Sequence, residues 1–77
     1  MNEFTKKVTE AFISAEQEAV RRSNSHITPM HILWAMLDQS GGMLPMIFQK
    51  SNLNIQQAKG DVKIELDKLS QVSGDNE

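Results

Sequence analysis

The sequence predicts an all-α fold, a small and irregular four-helix bundle with orthogonal packing. Apolar residues recur every three or four positions near both ends of the chain, which is the spacing of one helix face. Residues 32–37 are apolar on nearly every side, so other helices must surround them, because a surface helix shows only one apolar stripe. No stretch alternates apolar and polar residues as a strand does. We therefore expect one helical domain over residues 1–70 and a polar tail over residues 71–77.

Composition argues against several classes of function. The 77 residues are 39% hydrophobic, carry a net charge of −2 and include no cysteine. A nucleic-acid surface, including that of a helix-turn-helix, would need a basic patch, and disulfide or thiolate chemistry would need cysteine. No apolar run is long enough to cross a bilayer, and the N-terminus lacks a signal-peptide pattern. A cytoplasmic location is therefore expected.

The first helix is predicted to end at Arg21 or Arg22, whose charges suit a final turn. Its start has two candidates. Asn2 as the cap would place Glu3 favourably in the first turn, whereas Thr5 as the cap would set two lysines against the helix dipole. The expected buried stripe consists of Phe4, Val8, Ala11, Phe12, Ala15 and Ala19.

The central helix is predicted from Pro29 to about Gln39. Thr28 can cap it, and Pro29 fits the first helical position, where a missing N–H is harmless. Gly41 and Gly42 then end the helix, because glycine adopts left-handed backbone at little steric cost.

Two further helices are predicted after the glycines. Pro45 is expected at the first position of a short third helix, which ends near Asn52 as a left-handed residue. Asn54 and Gln57 have the spacing of a capping box at the start of the fourth. Gly60 interrupts that helix at a cost of about 1 kcal/mol relative to alanine. The expected buried stripe of this helix consists of Ile55, Ala58, Val62, Leu66 and Leu69.

No residue pattern predicts an enzyme active site, a metal site or a cofactor site in this chain. His26 and His31 are five residues apart across a loop–helix junction, so they do not form an i, i+4 zinc pair. A structural role near the helix start is favoured for His31. The pair Gly41-Gly42 lacks the flanking residues of a phosphate-binding loop. Carboxylates fall among lysines and arginines on helical surfaces, which is typical of a solvated face.

Met43, Leu44 and Met46, beside the paired glycines, allow two interpretations. They can form a soft apolar surface for peptide segments, or they can fill gaps in a small core. The core interpretation is favoured.

The residues and their order resemble one known family. The matching segments are Phe4-Thr5, the alanines at 11, 15 and 19, Ile27-Thr28-Pro29, His31-Ile32-Leu33, Leu37 through Gly41-Gly42, Ile47-Phe48, Ser51-Asn52-Leu53-Asn54, and Leu66, Leu69, Val72 and Gly74. This pattern resembles the first repeat of the Clp N-terminal domain, most closely that of ClpB-type disaggregases. Two residues depart from the pattern of the repeat. Met30 stands where the repeat usually has an acidic residue, and Asn52 stands where glycine is common. The sequence contains one repeat, whereas the family domain has two.

The resemblance implies a non-catalytic module that engages unfolded or aggregated polypeptides. The parent protein is implied to be a hexameric AAA+ ATPase, with ATP and magnesium bound outside this segment. The alternative is the N-domain of a ClpA- or ClpC-type unfoldase, which docks adaptor proteins for proteolysis.

Five residues are candidates for contact with a partner. Thr5 matches the family near the edge of the first helix, and Met43 belongs to the soft apolar segment. Ile13 and Val20 lie off the main stripe of the first helix and could widen it, and Ile64 points away from the stripe of the fourth, so it is either exposed or used against a partner. Since a single repeat leaves uncovered the surface meant for a second, the isolated chain is expected to form a homodimer.

Overall fold

A computed structural model describes residues 2–71 and has an all-α fold, as predicted. Four helices follow in order: α1, Glu3–Arg21; α2, Pro29–Asp38; α3, Met43–Lys50; and α4, Ile55–Asp67. Between residues 2 and 71 the only strand-like pairing is one isolated antiparallel bridge, which joins Asn24 to Gln71. Apart from Gln71, the predicted tail over residues 71–77 lies outside the described residues. None of the four helices is long and apolar enough to cross a membrane.

Helix α2 is the centre of the fold, as its composition predicted. It packs on each of the other three helices, whereas α1 approaches neither α3 nor α4 within 8 Å between Cα atoms. Two apolar clusters lie on different faces of α2. Ala35, with Ile32 and Met36, packs on the buried Ala11 and Ala15 of α1. Leu37, with half-buried Leu33 and Trp34, belongs to a second cluster that includes Val62 and Leu66 of α4.

The predicted stripe of α1 is wrong at its two aromatic residues. Ala11, Ala15 and Ala19 are buried, but Phe4 is 58% exposed and Phe12 49% exposed. Phe12 lies between the buried Ala11 and Ala15 along the chain, so its exposure reflects its place at the edge of the alanine face and not the length of α2. For Phe4 the reason is the length of the covering helix. At about 1.5 Å per residue, the 19 residues of α1 extend about 28 Å and the 10 residues of α2 only about 15 Å. Helix α2 therefore cannot cover the whole of α1.

The helix ends follow local hydrogen bonding. Asn2, not Thr5, caps α1, since the Asn2 side chain accepts a hydrogen bond from the Thr5 amide at 2.7 Å. Asn54 caps α4 in the same way, with the Gln57 amide as donor at 3.1 Å. Asn52 has the predicted left-handed backbone, with φ of 56°.

The predicted position of Pro45 is wrong by two residues. Helix α3 begins at Met43 with Gly42 as its cap, so Pro45 is the third helical residue. The position still tolerates proline, because amides of the first turn have no partner within the helix.

Candidate functional site

An apolar groove lies between α1 and α3, where two helices that both pack on α2 leave a gap between them. Its volume is about 540 Å³. We call it the α1–α3 groove. Its apolar lining consists of Phe4, Val8 and Ala11 of α1, Met36 of α2, and Met43, Pro45 and Met46 of α3. Glu3, Lys7, Gln39 and Gln49 supply its polar lining.

Three large apolar side chains of the groove remain exposed. Phe4 is 58% exposed, Met46 48% and Met43 42%. None of the three belongs to either buried cluster, so the fold does not use them as core. The predicted core role is therefore wrong for Met43 and Met46, although Leu44 does pack on the second cluster. Exposed apolar side chains that converge on a concave surface are typical of a docking site for another apolar group.

Two hydrogen bonds connect α1 to the turn between α2 and α3. The Lys7 ammonium donates to the backbone carbonyl of Ser40 at 2.9 Å, and the Gln39 side-chain amide donates to the backbone carbonyl of Lys7 at 2.8 Å. Gly41 has φ of 70°, and a Cβ added at Gly42 would overlap the side chain of Gln39. The turn therefore favours glycine at 41 for its backbone and leaves little room for a side chain at 42 unless Gln39 moves. The two hydrogen bonds join α1 to this turn, which leads into α3.

His31 has the structural role that was favoured for it. Its ring is fully buried. Nδ1 accepts a hydrogen bond from the Thr28 amide at 2.8 Å, so Nε2 carries the proton and donates to Asn24 Oδ1 at 2.8 Å. Asn24 in turn donates to the Ser70 carbonyl. Burial, together with the positive charge of Arg22, lowers the pKa of His31.

The carboxylates near a second, polar cleft of about 360 Å³ are paired with cations. Glu18 accepts hydrogen bonds from Arg21 and, at 2.6 Å, from Arg22. The bond from Arg21 is the main reason that the pKa of Glu18 is lowered, although partial burial opposes it. Asp38 pairs with Lys59 at 2.9 Å. These contacts are ion pairs, largely buried at Glu18 and Arg22 and more exposed at Asp38.

No metal-binding cluster of three or more histidine, aspartate or glutamate side chains occurs in the part of the chain that the structure describes. His26 and His31 are engaged separately: the His26 ring hydrogen-bonds Ser25, and the His31 ring bonds Thr28 and Asn24.

The five sequence-predicted contact residues are all exposed, but they do not form one site. Only Met43 lines the α1–α3 groove. Ile13 and Val20 lie on α1 and Ile64 on α4, with exposed fractions of 49%, 78% and 56%. Thr5 is adjacent to the groove residue Phe4 but does not line the groove. A contact role for any of the five stays a prediction.

Sequence reasoning missed Phe4 and Met36 as groove residues. Phe4 shares the periodicity of the buried alanines, and that pattern gave no sign that α2 would end short of it. The only available signal was the predicted length of the central helix, which is about half that of the first.

Comparison with known proteins agrees with the resemblance read from the residues. The family model described as the Clp repeat N-terminal domain matches residues 3–77. The chaperone protein ClpB of Bacillus anthracis is 32% identical over 74 residues, and that of Clostridium perfringens is 28% identical over 74. Each of these alignments covers 96% of this chain and 8% of the relative.

A third relative, the chaperone protein ClpB of Bdellovibrio bacteriovorus, is 33% identical over 70 residues, which is 91% of this chain and 8% of that protein. The chain thus spans less than a tenth of the length of these curated relatives. With four helices in the expected order and a family match over nearly every residue, this chain belongs to the Clp repeat N-terminal domain family.

Proposed function

We propose that this chain is a non-catalytic protein-binding module that engages exposed apolar segments of unfolded or aggregated polypeptides through the α1–α3 groove. The observation that carries the proposal is the convergence of Phe4, Met43 and Met46, all exposed, on one groove. Family membership supports it, since the curated relatives are named as chaperones.

The chemistry of the groove favours weak binding with low sequence selectivity. Methionine is flexible and polarizable, so it adapts to side chains of different shape. Burial of one apolar side chain contributes about 1.5–3 kcal/mol, and a few such contacts must offset the entropy lost on association. Two of the four polar side chains of the lining, Lys7 and Gln39, already hydrogen-bond within the fold, so they add little specificity. A groove of this kind suits many different clients.

The proposal extends to the longer protein of which this chain would form the N-terminal module. That protein is proposed to be a cytoplasmic, hexameric, ClpB-like disaggregase that uses ATP and Mg²⁺ bound outside this segment. Support comes from the names of the relatives and from the small share of their length that this chain spans.

The test measures binding of fluorescently labelled casein, an unfolded protein, by fluorescence anisotropy. Phe4→Ser is expected to raise the Kd about tenfold, because it removes one apolar wall of the groove. Leu53→Ser is the matched control: Leu53 is 57% exposed, close to the 58% of Phe4, and does not line the groove. Circular dichroism checks that both variants fold. Equal affinities for the two variants would contradict the proposal.

The alternative is docking of folded adaptor proteins, as in ClpA- or ClpC-type unfoldases. It is less favoured, because the three relatives described above are all named ClpB. Binding of a folded adaptor without measurable binding of casein would support the alternative.

The isolated chain is also proposed to form a homodimer through exposed apolar side chains outside the groove. Ile13 and Val20 are seven residues apart and so share one face of α1, and Ile64 is exposed on α4. Apolar residues that remain exposed on one helix face favour association with a second copy.

A further inference from the structure

Met43 and Met46 are the most accessible methionines of the described residues. They are three residues apart on α3 and therefore share one face of that helix. Met30 and Met36 are only partly exposed and pack against the two buried clusters. The chain has no cysteine, so a hydroperoxide that reaches the groove meets thioether sulfur and no thiol.

The oxidation of a methionine by a hydroperoxide such as H₂O₂ is a complete two-electron step. A sulfur lone pair attacks one peroxide oxygen, the O–O bond breaks, and an S–O bond forms. The second oxygen leaves as water after it takes up a proton. The product is methionine sulfoxide, a polar side chain that methionine sulfoxide reductases convert back to methionine.

Two of the polar side chains that line the groove already hydrogen-bond within the fold: the Lys7 ammonium donates to the Ser40 carbonyl, and the Gln39 amide donates to the Lys7 carbonyl. In the empty groove, water can hydrate a sulfoxide. An apolar occupant displaces this water and offers no hydrogen-bond donor in exchange, which is unfavourable. Oxidation therefore weakens binding of an apolar occupant to the groove.

The fold itself should tolerate this modification. Met43 and Met46 are 42% and 48% exposed, and neither contributes to a buried cluster. A polar atom at either position remains in contact with solvent while the groove is empty.

We propose that Met43 and Met46 form a reversible oxidation site through which hydroperoxides weaken occupancy of the α1–α3 groove while the fold stays intact. The inference rests on the proposed function, because it concerns the affinity of the same groove for apolar polypeptide segments.

The experiment treats the protein with H₂O₂, maps sulfoxides by mass spectrometry of peptides, and measures casein binding by anisotropy. Met43 and Met46 should oxidise before Met30 and Met36, and the Kd should rise about tenfold, the factor expected for one polar group buried without a partner. Circular dichroism should be unchanged, and methionine sulfoxide reductase should restore affinity.

Two variants supply the controls. Met43→Leu/Met46→Leu removes both sulfur atoms, so peroxide should not change its Kd for casein from the value of the same variant without peroxide. Met30→Leu should keep the sensitivity of the wild type. The switch is overturned if oxidised wild type binds as well as untreated protein, or if Met30, which does not line the groove, oxidises as fast as Met43 and Met46. If untreated wild type does not bind casein, the proposed function and the switch are both wrong.

Discussion

His31 lies where three parts of the chain meet. Its ring joins the start of α2, through Thr28, to Asn24 in the preceding loop, and Asn24 reaches Ser70 beyond α4. Both ring nitrogens are used in the neutral form. Protonation would place an N–H on Nδ1 opposite the Thr28 amide, two donors facing each other across 2.8 Å. Acid should therefore loosen this junction.

The first prediction concerns stability in mild acid. Burial and the nearby Arg22 lower the pKa of folded His31 below its ordinary value of 6.5. The unfolded chain then binds the proton more readily, so the contribution of His31 is fully present above about pH 6.5 and is lost as the pH falls through the folded-state pKa. The free energy of unfolding, measured in urea by circular dichroism, should fall between pH 7.5 and pH 5.

The carboxylates affect the stability of the fold in a lower pH range than His31 does. Arg21 and Arg22 lower the pKa of Glu18 from 4.5, and Arg22 lowers that of Asp67 from 3.8, so the stability that these carboxylates contribute is lost mainly below about pH 4.5. His31→Gln should be less stable than wild type at pH 7.5 and should lose most of the dependence between pH 7.5 and pH 5. If the midpoint of urea unfolding of the wild type does not change between pH 7.5 and pH 5, the role given to His31 is wrong.

Gly60 offers a stabilising substitution. It lies in the interior of α4, and a Cβ added there has no atom within 4 Å. Gly60→Ala should therefore raise the free energy of unfolding by about 1 kcal/mol through helix propensity alone.

Gly42→Ala is the matched comparison. Its added Cβ would overlap the Gln39 side chain, which hydrogen-bonds the Lys7 carbonyl, and should lower stability by about 1 kcal/mol. Urea unfolding of both variants measures whether the free energy of unfolding rises for Gly60→Ala and falls for Gly42→Ala. A Gly60→Ala protein less stable than wild type would contradict the prediction.

At the scale of the elements, α2 requires apolar residues on several faces because different helices cover them. Helix α1 packs through small alanines, and α4 packs through Val62 and Leu66. Because the two contacts are separate, loss of either one uncovers part of α2.

Leu66→Ala tests the contact between α2 and α4. Leu66 is 1% exposed and packs with Leu37 and Val62, so its truncation should reduce the free energy of unfolding by about 2–5 kcal/mol. Gln56→Ala, on the same helix but at an exposed side chain with no proposed contact, should change it by less than about 0.5 kcal/mol. Equal decreases in the free energy of unfolding of the two variants, measured in urea, would contradict the assignment of Leu66 to the core.

At the scale of the whole molecule, the fold is thin. The Cα atoms span 46 × 31 × 14 Å, and helices in contact already lie about 8–10 Å apart, so the smallest dimension is no deeper than two helices. A body so thin exposes a large share of its apolar side chains. This geometry leaves both the α1–α3 groove and the outer face of α1 available to other chains.

The last prediction is the oligomeric state. Light scattering at micromolar concentration should give twice the 8.7 kDa mass of one chain. Val20→Asp should shift the mass towards a monomer, because Val20 is 78% exposed on the face proposed for the contact. Leu53→Asp, outside that face, should leave the dimer intact. A wild-type mass of 8.7 kDa would refute the dimer.

The features that could be predicted from the sequence alone are those that depend on residues close together in the chain. The caps at Asn2 and Asn54 join residues three apart, and the left-handed turn at Asn52 depends on one residue. Helix number, helix order and the buried alanines of α1 follow from spacing along the chain, and the family is indicated by the resemblance of the residues and their order. Such features need no knowledge of distant parts of the molecule.

The tertiary structure alone decided which apolar residues are core and which are available for binding. Phe4 and Ala11 share one periodic stripe, yet Phe4 is exposed and Ala11 is buried. Periodicity states which side chains share a face, but burial depends on how far the facing helix extends and where the next one packs. The α1–α3 groove exists because α2 is shorter than α1 and because α3 meets α2 without reaching α1.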